Sequence, residues 1–263
     1  PLLTFKKIQT EKELRRQPIE VPYLCLYIGG ILMEEIDIKK DAFRKRWVSY
    51  FDLLGFSDLV QTKGELSVFD TITTALEEFK RKPKPKDHLI ERVWFSDSFI
   101  LYSQGASDID FSCIEQVSRH FFLSLIQKEI PVRGALAFGE LYADKDNNIL
   151  FGKALLEAYK YSENQDWIGM ILTPSAMLRM EEIRLPAEER PYYAKWSIPY
   201  KKCKDKYPPV LPACRIDAPG ILEILDRMRQ KVDPGNKKDV IQKYDNTIEF
   251  CQRTAMSRIS SKP

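Results

Sequence analysis

Histidine is nearly absent from this chain: among 263 residues only His88 and His120 occur. That leaves little material for a histidine-based triad or a histidine metal centre. Cysteine is also thin. Cys25, Cys113, Cys203, Cys214 and Cys251 are odd in number and scattered, with no CxxC pair and no Cys/His cluster. Reduced thiols and no zinc site are expected. Charge of one sign is lacking too, because 41 Lys and Arg face 38 Asp and Glu for a net +3. A general nucleic-acid binder carries a stronger basic excess, so no nucleic-acid partner is expected. Long apolar runs are missing. The longest, from about Val21 to Met33, falls short of the ~20 residues that span a bilayer. Basic residues precede it, but so do Glu11, Glu13 and Glu20, and no small-residue cleavage site follows. A buried strand or helix, or a dimer contact, is the reading for it. The expectation is a cytoplasmic protein with no membrane partner. There is no internal repeat and no low-complexity segment.

What is present is a soluble globular balance, 44% hydrophobic and 30% charged residues. The length admits one large domain or one domain with attachments. The division expected is an N-terminal extension over 1–45, a central domain over 46–215 and a C-terminal helical extension over 216–263. Arg46 to Leu54 is rich in aromatic and β-branched residues and predicts a buried strand. Gly55-Phe56-Ser57-Asp58 breaks it, and apolar spacing predicts a helix from about Asp58 to Arg81. Lys82–Lys86 (KPKPK) reads as a loop. Leu89–Tyr102 holds two apolar runs around Ser96-Asp97-Ser98, which predicts a β-hairpin with a polar tip. A helix over Asp108–Glu129, a strand over Pro131–Tyr142, a turn over Asp144–Asn148 and a helix over Gly152–Asn164 follow. Then come a short strand over Trp167–Leu172, strand-like pieces in the Pro-rich region 184–218, and helices near Leu222–Val232 and Asp239–Arg253. The order β-α-β-β-α-β across 46–142 predicts an α+β fold of the ferredoxin-like, split βαβ kind. That arrangement serves many unrelated proteins and names no function by itself.

Two carboxylates stand out. Asp52 lies inside an apolar strand, in Tyr50-Phe51-Asp52-Leu53-Leu54, and Asp97 lies at the hairpin tip. In this fold the first strand runs beside the hairpin, so the two can converge. Paired carboxylates across two magnesium or manganese ions ~4 Å apart are the usual clamp for phosphoryl chemistry. A carboxylate in an apolar strand is costly unless something pairs it. Equally, Asp52 can cap the next turn and Asp97 can be ordinary turn chemistry. Gly55-Phe56-Ser57 opens a helix, whose free N–H groups can take a phosphate or simply turn the chain. Arg133 shares a period-two face with Ala135, Ala137 and Gly139, a face small enough for a ligand or another backbone to approach closely. It can grip phosphate oxygens bidentately, or form an edge salt bridge.

At this point four motifs resemble those of class III nucleotide cyclases. Phe51-Asp52-Leu53-Leu54-Gly55-Phe56-Ser57 is similar to the family's F-x-D-I-x-G-F-T/S signature, shortened by one residue before the aspartate. Phe95-Ser96-Asp97-Ser98 stands where the family has its Gly-Asp hairpin, with Ser96 in place of Gly. Arg133 through Gly139 resembles the R-x-G-I-H-x-G strand, and Gly152 through Lys160 the G-x-x-V-N-x-A-x-R helix. The match covers about residues 46–165.

The resemblance implies that Asp52 and Asp97, with the Leu53 carbonyl, bind two divalent ions, Mn2+ or Mg2+. It implies that Arg133 holds the β- or γ-phosphate and that Phe51, Gly55 and Phe56 belong to the substrate site. The family's transition-state arginine falls at Lys160, which keeps the charge and loses the fork. Its ribose-orienting asparagine falls at Leu156, so Lys153 or a lysine from Lys201–Lys206 would have to compensate. The adenine-reading lysine of adenylate cyclases falls at Val93. The wording FDLLGFS, FSDS and GKALLEAYKYSE is most similar to the bacterial Pycsar pyrimidine cyclases, which make cyclic UMP or cyclic CMP in anti-phage defence. A pyrimidine needs a tighter pocket, and Tyr50, Arg92 and Trp94 are bulky enough to narrow one, although Trp94 can equally be core packing. The implied protein is a homodimer with shared active sites, its product acting on a separate effector. An adenylate or guanylate cyclase, or a non-catalytic nucleotide sensor, are the alternatives.

Overall fold

The structure is a computed structural model and describes residues 43–77, 89–185, 191–201, 207–232, 235 and 238–260. The chain divides into two units, Pro1–Ile38 and Lys39–Pro263. The apolar stretch Val21–Met33, the KPKPK loop and Lys202–Lys206 lie outside the described residues.

The central sheet is built from strands β1 (Arg44–Leu53), β2 (Ile90–Phe95), β3 (Ser98–Ser103), β4 (Val132–Asp144), β6 (Met170–Leu172), β7 (Tyr193–Ser197) and β8 (Val210–Cys214). Their order is β2-β3-β1-β4-β6-β8-β7, and β5 (Ile149–Phe151) pairs with β4. The helices are α1 (Phe56–Lys63), α2 (Glu65–Glu77), α3 (Asp108–Gln127), α4 (Lys153–Asn164), α5 (Pro174–Glu182), α6 (Ile221–Gln230) and α7 (Lys238–Ser260). β1 is antiparallel to both β3 and β4, and β2 is antiparallel to β3. With helices between β1 and β2 and between β3 and β4, this is the expected α+β, split βαβ arrangement. The strands β6, β8 and β7 extend it beyond β4.

The sheet has two different faces. Trp47, Ser49, Phe51 and Leu53 alternate along β1 toward α3. Trp47 lies 4.7 Å from Phe111, Phe51 meets Phe121 edge-on at 5.3 Å, and the Ser49 and Ser118 hydroxyls bond at 2.7 Å. Val48, Tyr50 and Asp52 point the other way, toward α4, because successive side chains in a strand alternate. Ala137 and Ala158 pack with Tyr50 on that side. The small face of β4 thus admits a close backbone, and that backbone is the chain's own helix α4.

One expected helix is two. Gly64 adopts φ +82, donates its N–H to the Val60 carbonyl at 2.9 Å to close α1, and accepts from Val68 to open α2. Two elements were not anticipated, β5 and α5, although Thr173-Pro174 is a helix-start signal, with proline in the first turn. The helices α6 and α7 contribute Leu225, Met228, Tyr244 and Phe250 to the main core. Thr247 fixes α7 through hydrogen bonds with the N–H and the carbonyl of Ile168 at 2.9 and 3.1 Å. No helix among the described residues is long and apolar enough to cross a membrane.

Candidate active site

The site gathers at the ends of β1, β3 and β4. Register sets Asp52 opposite Ser98 on one side and Arg133 on the other. The hairpin turn Ser96-Asp97 closes against the same end: the Leu53 N–H donates to the Asp97 carbonyl at 2.9 Å. Ser96, where the family pattern has glycine, takes the left-handed conformation at φ +56. This region is uncommon for a residue with a Cβ. Asp52 and Asp97 are therefore neighbours in space, and the Leu53 amide beside them is already engaged.

Asp52 is 8% exposed and does not stand alone. The Arg133 Nε donates to its Oδ2 at 2.8 Å, and Nη2 lies in ion-pair contact with the same oxygen at 2.6 Å. Among the described residues no donor reaches its Oδ1. Burial pushes the Asp52 carboxyl up to about 6; Arg133 pulls against that, and Glu163 and Asp97 add to it. Arg133 carries its remaining N–H groups to the end of α4. Nη2 meets Glu163 Oε1 at 2.8 Å, and Nη1 meets the carbonyls of Glu163 and Gln165 at 3.0 and 3.2 Å. Of the two readings open for Arg133, the geometry takes the salt bridge.

The other expected residues divide between the two faces of the sheet. Tyr50 joins Asp52: its hydroxyl bonds Ser98 Oγ at 2.7 Å, its ring meets Tyr159 edge-on at 5.4 Å, and burial pushes its hydroxyl up to about 12. Phe51 belongs to the opposite face and is fully buried against Phe121. Trp94 and Arg92 are also on that opposite face, paired with Phe99 and Leu101, which lie across from Phe51 and Ser49. Trp94 stacks on Phe99 at 4.9 Å and on Phe69 at 5.5 Å, the packing alternative. The grouping of Tyr50 with Arg92 and Trp94 around one base is thus not what the register gives. The residues of β2 on the Tyr50 side are Glu91, Val93 and Phe95, the last two 38% and 79% exposed.

Gly55 starts α1 with φ +67 and no side-chain cap, and Phe56 is partly buried behind it. Lys160 and Leu156 are exposed on α4, and Lys160 has no side-chain bond among the described residues. Lys201 lies within electrostatic reach of the cluster: burial and Arg133 pull its ammonium down, while Glu163 and Asp52 act against them. Sequence reasoning missed Glu163 and Gln165. Gln165 is fully buried, donates from Nε2 to the Gly134 and Tyr161 carbonyls at 3.0 Å each, and accepts from Trp167 Nε1 at 2.7 Å. An acidic residue at the end of an amphipathic helix gives no sign in sequence that it meets a strand thirty positions earlier.

Among the described residues no group of three or more His, Cys, Asp or Glu is set to hold a metal ion. The set available is smaller: the carboxylates of Asp52 and Asp97 with the Leu53 carbonyl. All are hard oxygen donors, the chemistry that Mg2+ and Mn2+ take. The undonated Oδ1 of Asp52, and the crowding of Asp52 and Glu163 around one guanidinium with Asp97 within electrostatic reach of Asp52, fit a cation at this end of the sheet.

No protein-family model matches the chain, and no curated protein matches it in sequence. Among solved structures it is similar to the adenylyl cyclase CyaB from P. aeruginosa, at 14% identity over 67% of this chain and 95% of that one, with a TM-score of 0.43. It is similar to the guanylate cyclase domain of RhGC from Catenaria anguillulae in complex with GTP, at 11% identity over 65% and 94%, TM-score 0.45. The catalytic core of a rhodopsin-guanylyl cyclase with converted specificity, in complex with ATPalphaS, gives 9% identity over 65% and 95%, TM-score 0.46.

Proposed function

We propose that this chain is a nucleotide cyclase that closes a pyrimidine nucleoside triphosphate, UTP or CTP, into its cyclic monophosphate with release of pyrophosphate. The observation that carries the reading is the meeting of Asp52 and Asp97 at one end of the sheet, with Leu53 N–H on the Asp97 carbonyl at 2.9 Å. Bound divalent ions would supply Lewis-acid activation of the ribose 3′-hydroxyl and neutralisation of the triphosphate. Asp52, Asp97 and the Leu53 carbonyl would hold them. The free N–H groups at the start of α1, after Gly55, suit a phosphate. Catalysis by this chain's residues is then positioning and charge stabilisation.

The pyrimidine preference rests on the motif wording and on Val93, where an adenine-reading lysine would stand. On the Tyr50 side, Tyr50 itself and the apolar Val93 and Phe95 are residues that could bound a base, with Glu91 further along the same face of β2. A role in anti-phage signalling through a separate effector extends the same resemblance. A homodimer is part of the same proposal, in which Lys160, exposed on α4, would reach a second copy's site.

The test supplies each nucleoside triphosphate separately with Mn2+ and identifies the product by mass. Cyclic UMP or cyclic CMP is expected. Dominant cyclic AMP or cyclic GMP would overturn the pyrimidine reading and keep the cyclase. Binding without turnover of any of the four would favour a sensor, the reading to which Leu156 in place of asparagine points.

A further inference from the structure

The Arg133 guanidinium is held on two sides. Nε donates to Asp52 Oδ2 at 2.8 Å, and Nη2 lies in ion-pair contact with the same oxygen at 2.6 Å. Nη2 donates to Glu163 Oε1 at 2.8 Å, and Nη1 donates to the carbonyls of Glu163 and Gln165 at 3.0 and 3.2 Å. The three acceptors on the far side come from one short piece of chain, the end of α4. That piece is itself held. Gln165 is fixed by three side-chain bonds, Asn164 Nδ2 donates to Tyr207 Oη at 2.8 Å, and the Lys201 N–H donates to the Asn164 carbonyl at 2.8 Å. Carbonyls at a helix C-terminus favour a cation, which adds to the Glu163 charge. Arg133 is 5% exposed, so a guanidinium without these partners would be a buried charge left unpaired.

We infer that Arg133 and Glu163 are a positioning pair for Asp52: the end of α4 holds the guanidinium, and the guanidinium takes one carboxylate oxygen so that the other is left for a cation. The inference rests on the reading of Asp52 as a cation ligand. It replaces a phosphate-gripping role for Arg133 with an orienting one. It makes Glu163, an oxygen's reach beyond the ligand, a determinant of how well the site binds metal. Partners that orient a ligand in this way commonly matter to affinity about tenfold or more.

Two variants separate orientation from charge. Glu163→Gln keeps an acceptor oxygen at the right reach and loses the charge. Glu163→Asp keeps the charge and withdraws the oxygen by one methylene. The measurement is Mn2+ affinity of the nucleotide-free protein, read from the electron paramagnetic resonance signal of free Mn2+, with thermal melts to confirm folding. The pair predicts that Glu163→Gln stays within about threefold of the wild type. It predicts that Glu163→Asp binds about tenfold more weakly. The reverse order, with Glu163→Asp near wild type and Glu163→Gln weak, means that charge alone matters and overturns the inference while the metal reading stands. Equal Mn2+ binding by wild type and Asp52→Ala, or none by either, overturns the metal reading and the inference with it.

Discussion

The two faces of strand β1 do opposite work with alternate residues of one short sequence. Toward α3 it sends Trp47, Ser49, Phe51 and Leu53, all fully or almost fully buried in a close-packed aromatic layer. Toward α4 it sends Val48, Tyr50 and Asp52, which meet alanines, a tyrosine and an arginine. The first face is bound by dispersion and burial, which are non-directional and tolerant of detail. The second binds by directed, charge-assisted hydrogen bonds in a partly desolvated setting, where each partner matters individually. Apolar burial is concentrated on one side of the sheet and the charged cluster on the other, and a one-residue shift of register would exchange them. Gly134, paired with Phe51 across the β1–β4 ladder, leaves room for that ring on the α3 face: a Cβ there would collide with it.

Substitutions should split along this line. Asp52→Ala and Asp97→Ala are expected to abolish cyclisation, since losing a metal clamp removes several kcal/mol of transition-state stabilisation, while the folded spectrum of the protein persists. Near-wild-type turnover by either purified variant would end the two-ion assignment. Phe51→Ala, one residue away, should act through the fold, costing about 3–5 kcal/mol in chemical denaturation. A loss of turnover with unchanged stability would mean that Phe51 serves the site after all. On the α4 side, Ala137→Leu should cost about 1–3 kcal/mol by overpacking against Ala158, and circular dichroism melts would register it. An unchanged melting temperature would mean that α4 does not seat on that face.

The polar face should also leave a pH signature. The folded carboxyl of Asp52 is raised from 3.8 to about 6, chiefly by burial. A raised carboxyl favours the folded state when protonated, so its contribution is full below the unfolded value and is lost as pH rises through the folded one. Metal-free protein should therefore lose stability between about pH 4 and pH 6–7 through this group. Asp52→Asn should lack that slope, whatever its absolute stability. Parallel pH curves for the two proteins would show that Asp52 does not titrate there. Mn2+ should flatten the wild-type slope by competing with the proton.

Much of this was legible in the chain. The aromatic and β-branched run of β1, the Ser96-Asp97 tip and the spacing of α3 specify local structure, and local structure in that order specifies the sheet. The Asp52 and Asp97 pair was legible because the fold that brings β1 beside the hairpin is itself periodic. The partners of Arg133 were not. Its ion pairs join β4 to the end of α4 across a crossover, and nothing in the spacing of Glu163 or Gln165 encodes it. The grouping of Arg92 and Trp94 with Tyr50 failed for a simpler reason. Side-chain bulk does not say which face a residue takes, and the alternation of β2 turns those two residues away from Asp52.

That last point yields the smallest expected effect and a direct check on the two-face division. Arg92 and Val93 are adjacent on β2, but Val93 pairs with Ile100 across from Tyr50, and Arg92 pairs with Leu101 across from Ser49. If base choice is made on the Tyr50 side, Arg92→Ala should leave the ratio of UTP to ATP turnover unchanged within about twofold, because single exposed charges away from a site carry little energy. Val93→Lys puts a donor where adenylate cyclases carry their adenine-reading lysine, and should move that ratio toward ATP by about tenfold, the scale of one new hydrogen bond to a base within a partly closed pocket. A shifted ratio in Arg92→Ala with none in Val93→Lys would place base recognition on the α3 side and dissolve the division. A shift in Val93→Lys alone would locate the base beside Tyr50, Val93 and Phe95, on the same face of the sheet as Asp52.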